Sequence, residues 1–249
     1  MKNRSICKHI PWLILGMGAA GAVLRWQLYA LALDEKNLLQ PNHPVQWLLW
    51  ILSAAAAVLM AAAAWKYKAA PDGEAAAGGS VGPFVLAAAV ALTVLLNRDL
   101  QTPTEKAAYV LGLISALALA AVGIFRILKK QPLFALHGAV CMYFAVHMIS
   151  RYPAWSSNPQ IGDSVFSLLG CVFLALFAYY RSAFDANCGK ARMWLATGLA
   201  AVYACAVALA HGEYPALYLG GCIWALSELL CGLGAGSGAQ MLADEESRE

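Results

Sequence analysis

Residues 45–65, VQWLLWILSAAAAVLMAAAAW, run without a single charged side chain. At about 1.5 Å per residue, a helix of this length crosses the roughly 30 Å hydrocarbon core of a bilayer. No polar face recurs along it, so in water it would leave apolar surface exposed all round. Pro41-Asn42-His43-Pro44 precedes it and Lys66-Tyr67-Lys68 follows it, and both are turn or interface sequences.

Working outward, the same pattern returns at approximately 11–33, 81–96, 107–126, 132–150, 162–180, 193–211 and 215–236. The run at 81–96 is short, although Ala75 to Leu96 carries no charge and allows it to lengthen toward its N-terminus. Over all 249 residues, 61% are hydrophobic and 12% charged. A soluble domain carries roughly 25% charged residues. The mean hydropathy of +0.62 agrees. Too few polar residues exist to clothe a soluble fold, so lipid must solvate much of the exterior. The expected fold is an all-α integral membrane protein, a bundle of about eight transmembrane helices. Residues 1–243 form one polytopic domain, and 244–249 form a short acidic cytoplasmic tail.

Lysine and arginine orient the bundle. With the N-terminus inside, twelve fall on inner segments: Lys2, Arg4, Lys8, Lys66, Lys68, Arg126, Lys129, Lys130, Arg181, Lys190, Arg192 and Arg248. Four fall on outer segments (Lys36, Arg98, Lys106, Arg151), and Arg25 lies within a span. Both termini are therefore expected in the cytoplasm, in a plasma membrane of bacterial type. Trp12, Trp65 and Trp194 fall near the inner interface and Trp47, Trp50 and Trp155 near the outer one, as an aromatic belt requires. The first span resembles a signal peptide up to Ala20-Gly21-Ala22, but Arg25 follows too closely for a cleavage site and the span is expected to be retained. Basic residues followed by proline open both halves, 1–130 and 131–249, which raises a parallel repeat of four helices.

Several chemistries are excluded. There is no P-loop, no HExxH, no acidic ladder for a metal, no buried lysine and no basic face for nucleic acid. The seven cysteines show no CxxC and no ligand spacing, so they read as small packing residues, and no cofactor is expected. His137 is expected near the inner side and His147 and His211 near the outer, which leaves only one depth-matched pair for haem. Gly16-Met17-Gly18-Ala19-Ala20-Gly21 fits GxGxxG but lies inside an apolar span, where small residues admit a neighbouring helix. Gly16, Gly18, Gly21 and, in the last span, Gly221 are thus expected packing positions.

Charges inside a span cost free energy and mark candidate sites. Arg25 lies about 12 Å from the outer end of its span, at about 1.5 Å per residue. Gly18, Gly21 and Ala22 share its face, which points it into the bundle. Glu228, with Trp224 and Gly221 before it, is the deepest acid and a candidate proton carrier, cation site or partner of Arg25. His147 and Arg151 share a face with Tyr143, and Asp163 opens the next span at similar depth. Arg25, Glu228, His147, Arg151, Asp163 and Trp224 are therefore the expected ligand-binding residues. They suggest an outward-facing polar cavity for binding or passage of a small, anionic solute. Two other readings stand beside it: an accessory or assembly subunit of a larger membrane complex, and a lipid-acting intramembrane enzyme.

Overall fold

The computed structural model describes residues 2–31, 43–67, 81–97, 100–156, 164–186, 188–210 and 213–235. Among these it contains eight helices: α1 (Lys2–Leu31), α2 (Pro44–Lys66), α3 (Val81–Leu96), α4 (Pro103–Ile127), α5 (Phe134–Ser156), α6 (Val165–Asp185), α7 (Ala191–Ala208) and α8 (Pro215–Ala235). Local chemistry sets several of the ends. His43 caps α2, its Nδ1 accepting from the Val45 amide, with Pro44 at the first helical position. Thr102 and Glu105 form a reciprocal capping box on α4. At the far end of α4, Lys129 takes a left-handed φ of 53°. The amides of Lys129 and Lys130 then donate to the carbonyls of Arg126 and Phe125 and close a Schellman turn.

Six of the eight helices are long and apolar enough to cross a membrane. The two outside that set are α3, with 16 residues, and α5, whose apolar character is diluted by His137, His147 and Arg151. The possible extension of α3 toward Ala75 lies outside the described residues.

Helices α3 to α8 close into a ring, each packing on the next and α3 on α8. The α1–α2 hairpin packs on α7 from outside the ring. Helix α7 is thus enclosed on all sides: its most apolar stretch is 78% buried, against 22% for α2. Neighbours in the ring run antiparallel, so the N-termini of α1, α3, α5 and α7 share one end, called proximal here, and their C-termini share the distal end. The parallel repeat is not seen. Helix α6 packs closely on α7, whereas the corresponding α2 and α3 share no such interface among the described residues.

In lipid, dispersion contacts and close backbone approach hold helices together. A Cβ on Gly18 would lie 2.7 Å from Ala206 Cβ, and one on Gly21 would lie 2.8 Å from Val207 Cγ2, so both glycines admit α7. Gly221 likewise receives Leu174 of α6 at 2.6 Å. Gly16 departs from expectation: nothing lies within 4 Å of where its Cβ would be. It sits two residues from Gly18, on the far side of the helix. Trp12, Trp47, Trp50 and Trp65 are exposed as belt residues should be, but Trp194 is fully buried. It packs edge-on against Phe184 and tilted against Phe177, so it belongs to the core. The side chain of Trp155 lies outside the described residues.

Candidate functional site

Two polar clusters occupy opposite ends of the ring. At the distal end α3, α4, α5 and the start of α8 leave a half-open cleft of about 380 Å³, mouth included. Thr93, Asn97, Glu105, Tyr109, Tyr143, His147, Ser150, Arg151 and Tyr214 line it, with Val94, Leu100 and Ala108 between them. Tyr143, His147 and Ser150 fall at spacings of four and three on α5, and Arg151 is four beyond His147, so one helical face presents all of them.

The polar atoms of that face are unequally satisfied. Ser150 Oγ donates to the His147 carbonyl, Thr93 Oγ1 to the Ala89 carbonyl and Asn97 Nδ2 to the Thr93 carbonyl. Tyr143 Oη, His147 Nε2 and Arg151 Nε are buried without a protein hydrogen-bond partner. A buried polar atom left in that state costs about 1–3 kcal/mol. Three on one cleft face therefore call for water or a ligand.

Aromatic rings hold the site open. The Arg151 guanidinium lies 4.9 Å from the centroid of the Tyr214 ring. His147 meets the Tyr214 ring edge-on at 5.2 Å and lies tilted against the ring of Tyr143 at 5.5 Å. Burial pushes the Tyr214 phenol up to about 12, so it remains a neutral hydroxyl. The acid in the cleft, Glu105, already accepts from the amides of Gln101 and Thr102 (3.0 and 2.8 Å). Arg151 makes no ion pair among the described residues.

The proximal cluster is an ionic chain across four helices. Arg126 of α4 closes on Glu228 of α8 with both terminal nitrogens. Arg181 of α6 sits between two acids, its Nε 3.5 Å from Glu228 Oε2 and its Nη2 3.6 Å from Asp185 Oδ1. Asp185 Oδ2 is 2.6 Å from Nδ1 of His137 on α5, and the His137 ring stacks on Trp224 at 6.3 Å. All these side chains are buried.

The expected site residues are thus divided. His147 and Arg151 line the cleft. Glu228 and Trp224 lie at the opposite end, because an intervening helix face carries α8 from Tyr214 at the cleft down to the ionic chain. Arg126 is the partner of Glu228. Arg25 is buried near the distal end but on another side of the bundle. It donates to the Val207 carbonyl at 3.3 Å and lies 5.6 Å and 5.9 Å from the rings of Phe166 and Tyr29. Asp163 and His211 lie outside the described residues.

Arg126 and Arg181, expected among the inner-segment cations, are instead buried inside the bundle at 2% and 8% exposure. A signal for Arg126 was available. Gly112, Ser115, Leu119, Val122 and Gly123 precede it at helical spacing and form the buried face of α4. That is the same small-residue argument that turned Arg25 inward. Nothing comparable marked Tyr214 or Asn97, which reach the cleft from element ends.

No protein-family model matches this chain, and no curated protein or solved structure is significantly similar to it.

Proposed function

We propose that this chain is a single-domain, multi-pass protein of a plasma membrane whose distal cleft faces outward and binds a small, singly charged anion, a carboxylate in the first instance, for passage across the membrane. The observation that carries the reading is the set of three buried polar atoms, Tyr143 Oη, His147 Nε2 and Arg151 Nε, without protein partners on one cleft face. Arg151 supplies the positive charge, held over Tyr214. A guanidinium matches a carboxylate in both charge and planar geometry. The Tyr143 hydroxyl supplies a second donor, and His147 supplies either role through its tautomer.

The orientation rests on the lysine and arginine bias. With Arg126 and Arg181 set aside as buried, the remaining inner-segment cations still outnumber the outer ones.

The test is binding to full-length protein in nanodiscs, offered short-chain monocarboxylates and their uncharged amides. The acids should bind and the amides should not. Arg151→Gln should lose at least about tenfold in affinity, as expected for a charge-assisted hydrogen bond. Equal binding of acid and amide, or an Arg151→Gln protein that binds as well as the parent, would end this reading. Uptake of the bound acid into proteoliposomes then separates transport from binding alone.

A further inference from the structure

The proximal ionic chain is not used by the cleft, and one end of it is chemically unfinished. Asp185 Oδ2 accepts from His137 Nδ1 at 2.6 Å. That bond places the single hydrogen of the neutral ring on Nδ1, and Nε2 is left as a bare acceptor. Nε2 is buried and has no partner, and the whole residue is 0% exposed. A carboxylate behind an imidazole both orients the ring and stabilises its protonated form.

The surroundings balance before a proton arrives. Facing His137 are Arg126 from α4, Arg181 and Asp185 from α6, and Glu228 from α8. Two cations and two anions cancel when the ring is neutral. Arg181 stands almost equally far from both acids, at 3.5 and 3.6 Å, and closes on neither. The pair sits at the edge of the bundle's proximal end: His137 lies in the first turn of α5 and Asp185 is the last residue of α6.

We propose that the His137–Asp185 pair is a proton-binding site reached from the proximal end, with Arg181 moving between Asp185 and Glu228 as the site fills and empties. The Nε2 lone pair takes a proton from water, and the imidazolium keeps its Nδ1–H bond to the Asp185 carboxylate. Asp185 then has a cation of its own, and Arg181 is released toward Glu228. Loss of the proton returns Arg181 to Asp185. The site does not depend on the anion reading of the cleft. Were both to hold, it would be the coupling site for that anion.

The test is a pH titration of full-length protein in detergent micelles, with nitrogen-15 in its histidines, followed by NMR. His137→Gln identifies the signal of residue 137. A reversible one-proton transition of that imidazole between about pH 5 and pH 9 supports the proposal. So does a displacement of the midpoint by at least about one pH unit in Asp185→Asn, a tenfold change in proton affinity. A residue 137 that keeps one neutral tautomer across the range overturns it and leaves a structural hydrogen bond. The unmodified protein alone supplies the deciding titration, so a variant that fails to fold does not blunt it. Failure of carboxylates to bind the cleft would leave this titration unchanged, which separates the two readings.

Discussion

Arg126 and Glu228, 102 positions apart in sequence, form a two-pronged ion pair that ties the proximal ends of α4 and α8 together inside the bundle. Helices α5 and α6 add His137, Asp185 and Arg181 to the same chain. Removing one member of a buried pair leaves the other charge uncompensated, typically at about 3–5 kcal/mol. Glu228→Ala should therefore lower the thermal unfolding midpoint sharply, since it leaves Arg126 buried without its carboxylate. The double variant Arg126→Leu/Glu228→Leu should recover most of that loss, because Arg181 retains Asp185. Thermal scans of the three proteins in one detergent decide it. Equal losses in the single and double variants would show that the pair contributes through shape and not charge.

Tyr143 presents a hydroxyl with no protein partner in the cleft, on a ring only 1% exposed. Tyr143→Phe removes the group that lacks a partner while keeping the ring, so the unliganded protein should be as stable as the parent or slightly more so. If the hydroxyl donates to a bound carboxylate, affinity should fall by about tenfold. A large drop in unliganded stability would place that hydroxyl in a structural bond instead.

Glycine positions give opposite expectations along one principle. A Cβ on Gly220 would lie 2.3 Å from Ala89 Cβ, and backbone atoms of α3 stand close behind it. Gly220→Ala must push α3 from α8, at about 1–3 kcal/mol. Around Gly16 there is open space. Gly16→Ala should be neutral or stabilise by about 0.5–1 kcal/mol through helix propensity. Melting of both variants tests the pair, and a destabilised Gly16→Ala protein would contradict the packing described for α1.

Orientation can be read by labelling. Cys188 is exposed in the connection between α6 and α7, at the proximal end. Thr102 is exposed at the start of α4, at the distal end. In cells, with the other cysteines replaced, an impermeant maleimide should miss Cys188 and reach Thr102→Cys. The reverse pattern would invert the protein and put the cleft on the inside.

The number of helices was legible because each depends on its own stretch of chain; their limits were less so, since α1 begins at Lys2 and not near residue 11, and α5 and α6 run on to Ser156 and Asp185. The expected run 45–65 is α2 at Pro44–Lys66, and 107–126 is α4 at Pro103–Ile127. A run of apolar residues has to be helical in lipid whatever lies beside it, because its backbone polar groups find no other partners. The Thr102-Pro103-Thr104-Glu105 capping box is equally local. The inward turn of Arg25 was legible from Gly18 and Gly21 for the same reason: spacing of three, four and seven defines one face of one helix.

Which faces meet was decided only by the tertiary structure. Periodicity tells that Glu228 turns inward but not that α4 rather than α1 stands opposite, so its partner proved to be Arg126. An arginine at a helix end looks the same in sequence whether it meets headgroups or a buried carboxylate, and for Arg126 and Arg181 the ring of α3 to α8 supplied the carboxylate. His147 and Arg151 could be placed on one face of α5, but the cleft also needs Asn97, Glu105 and Tyr214 from three other helix ends. The sequence determined a set of apolar helices, six of them long enough to cross a membrane, and the residues too costly to face lipid. The fold decided how those residues are shared between two ends of the bundle, because pairing energies depend on distances between helices that no single helix encodes.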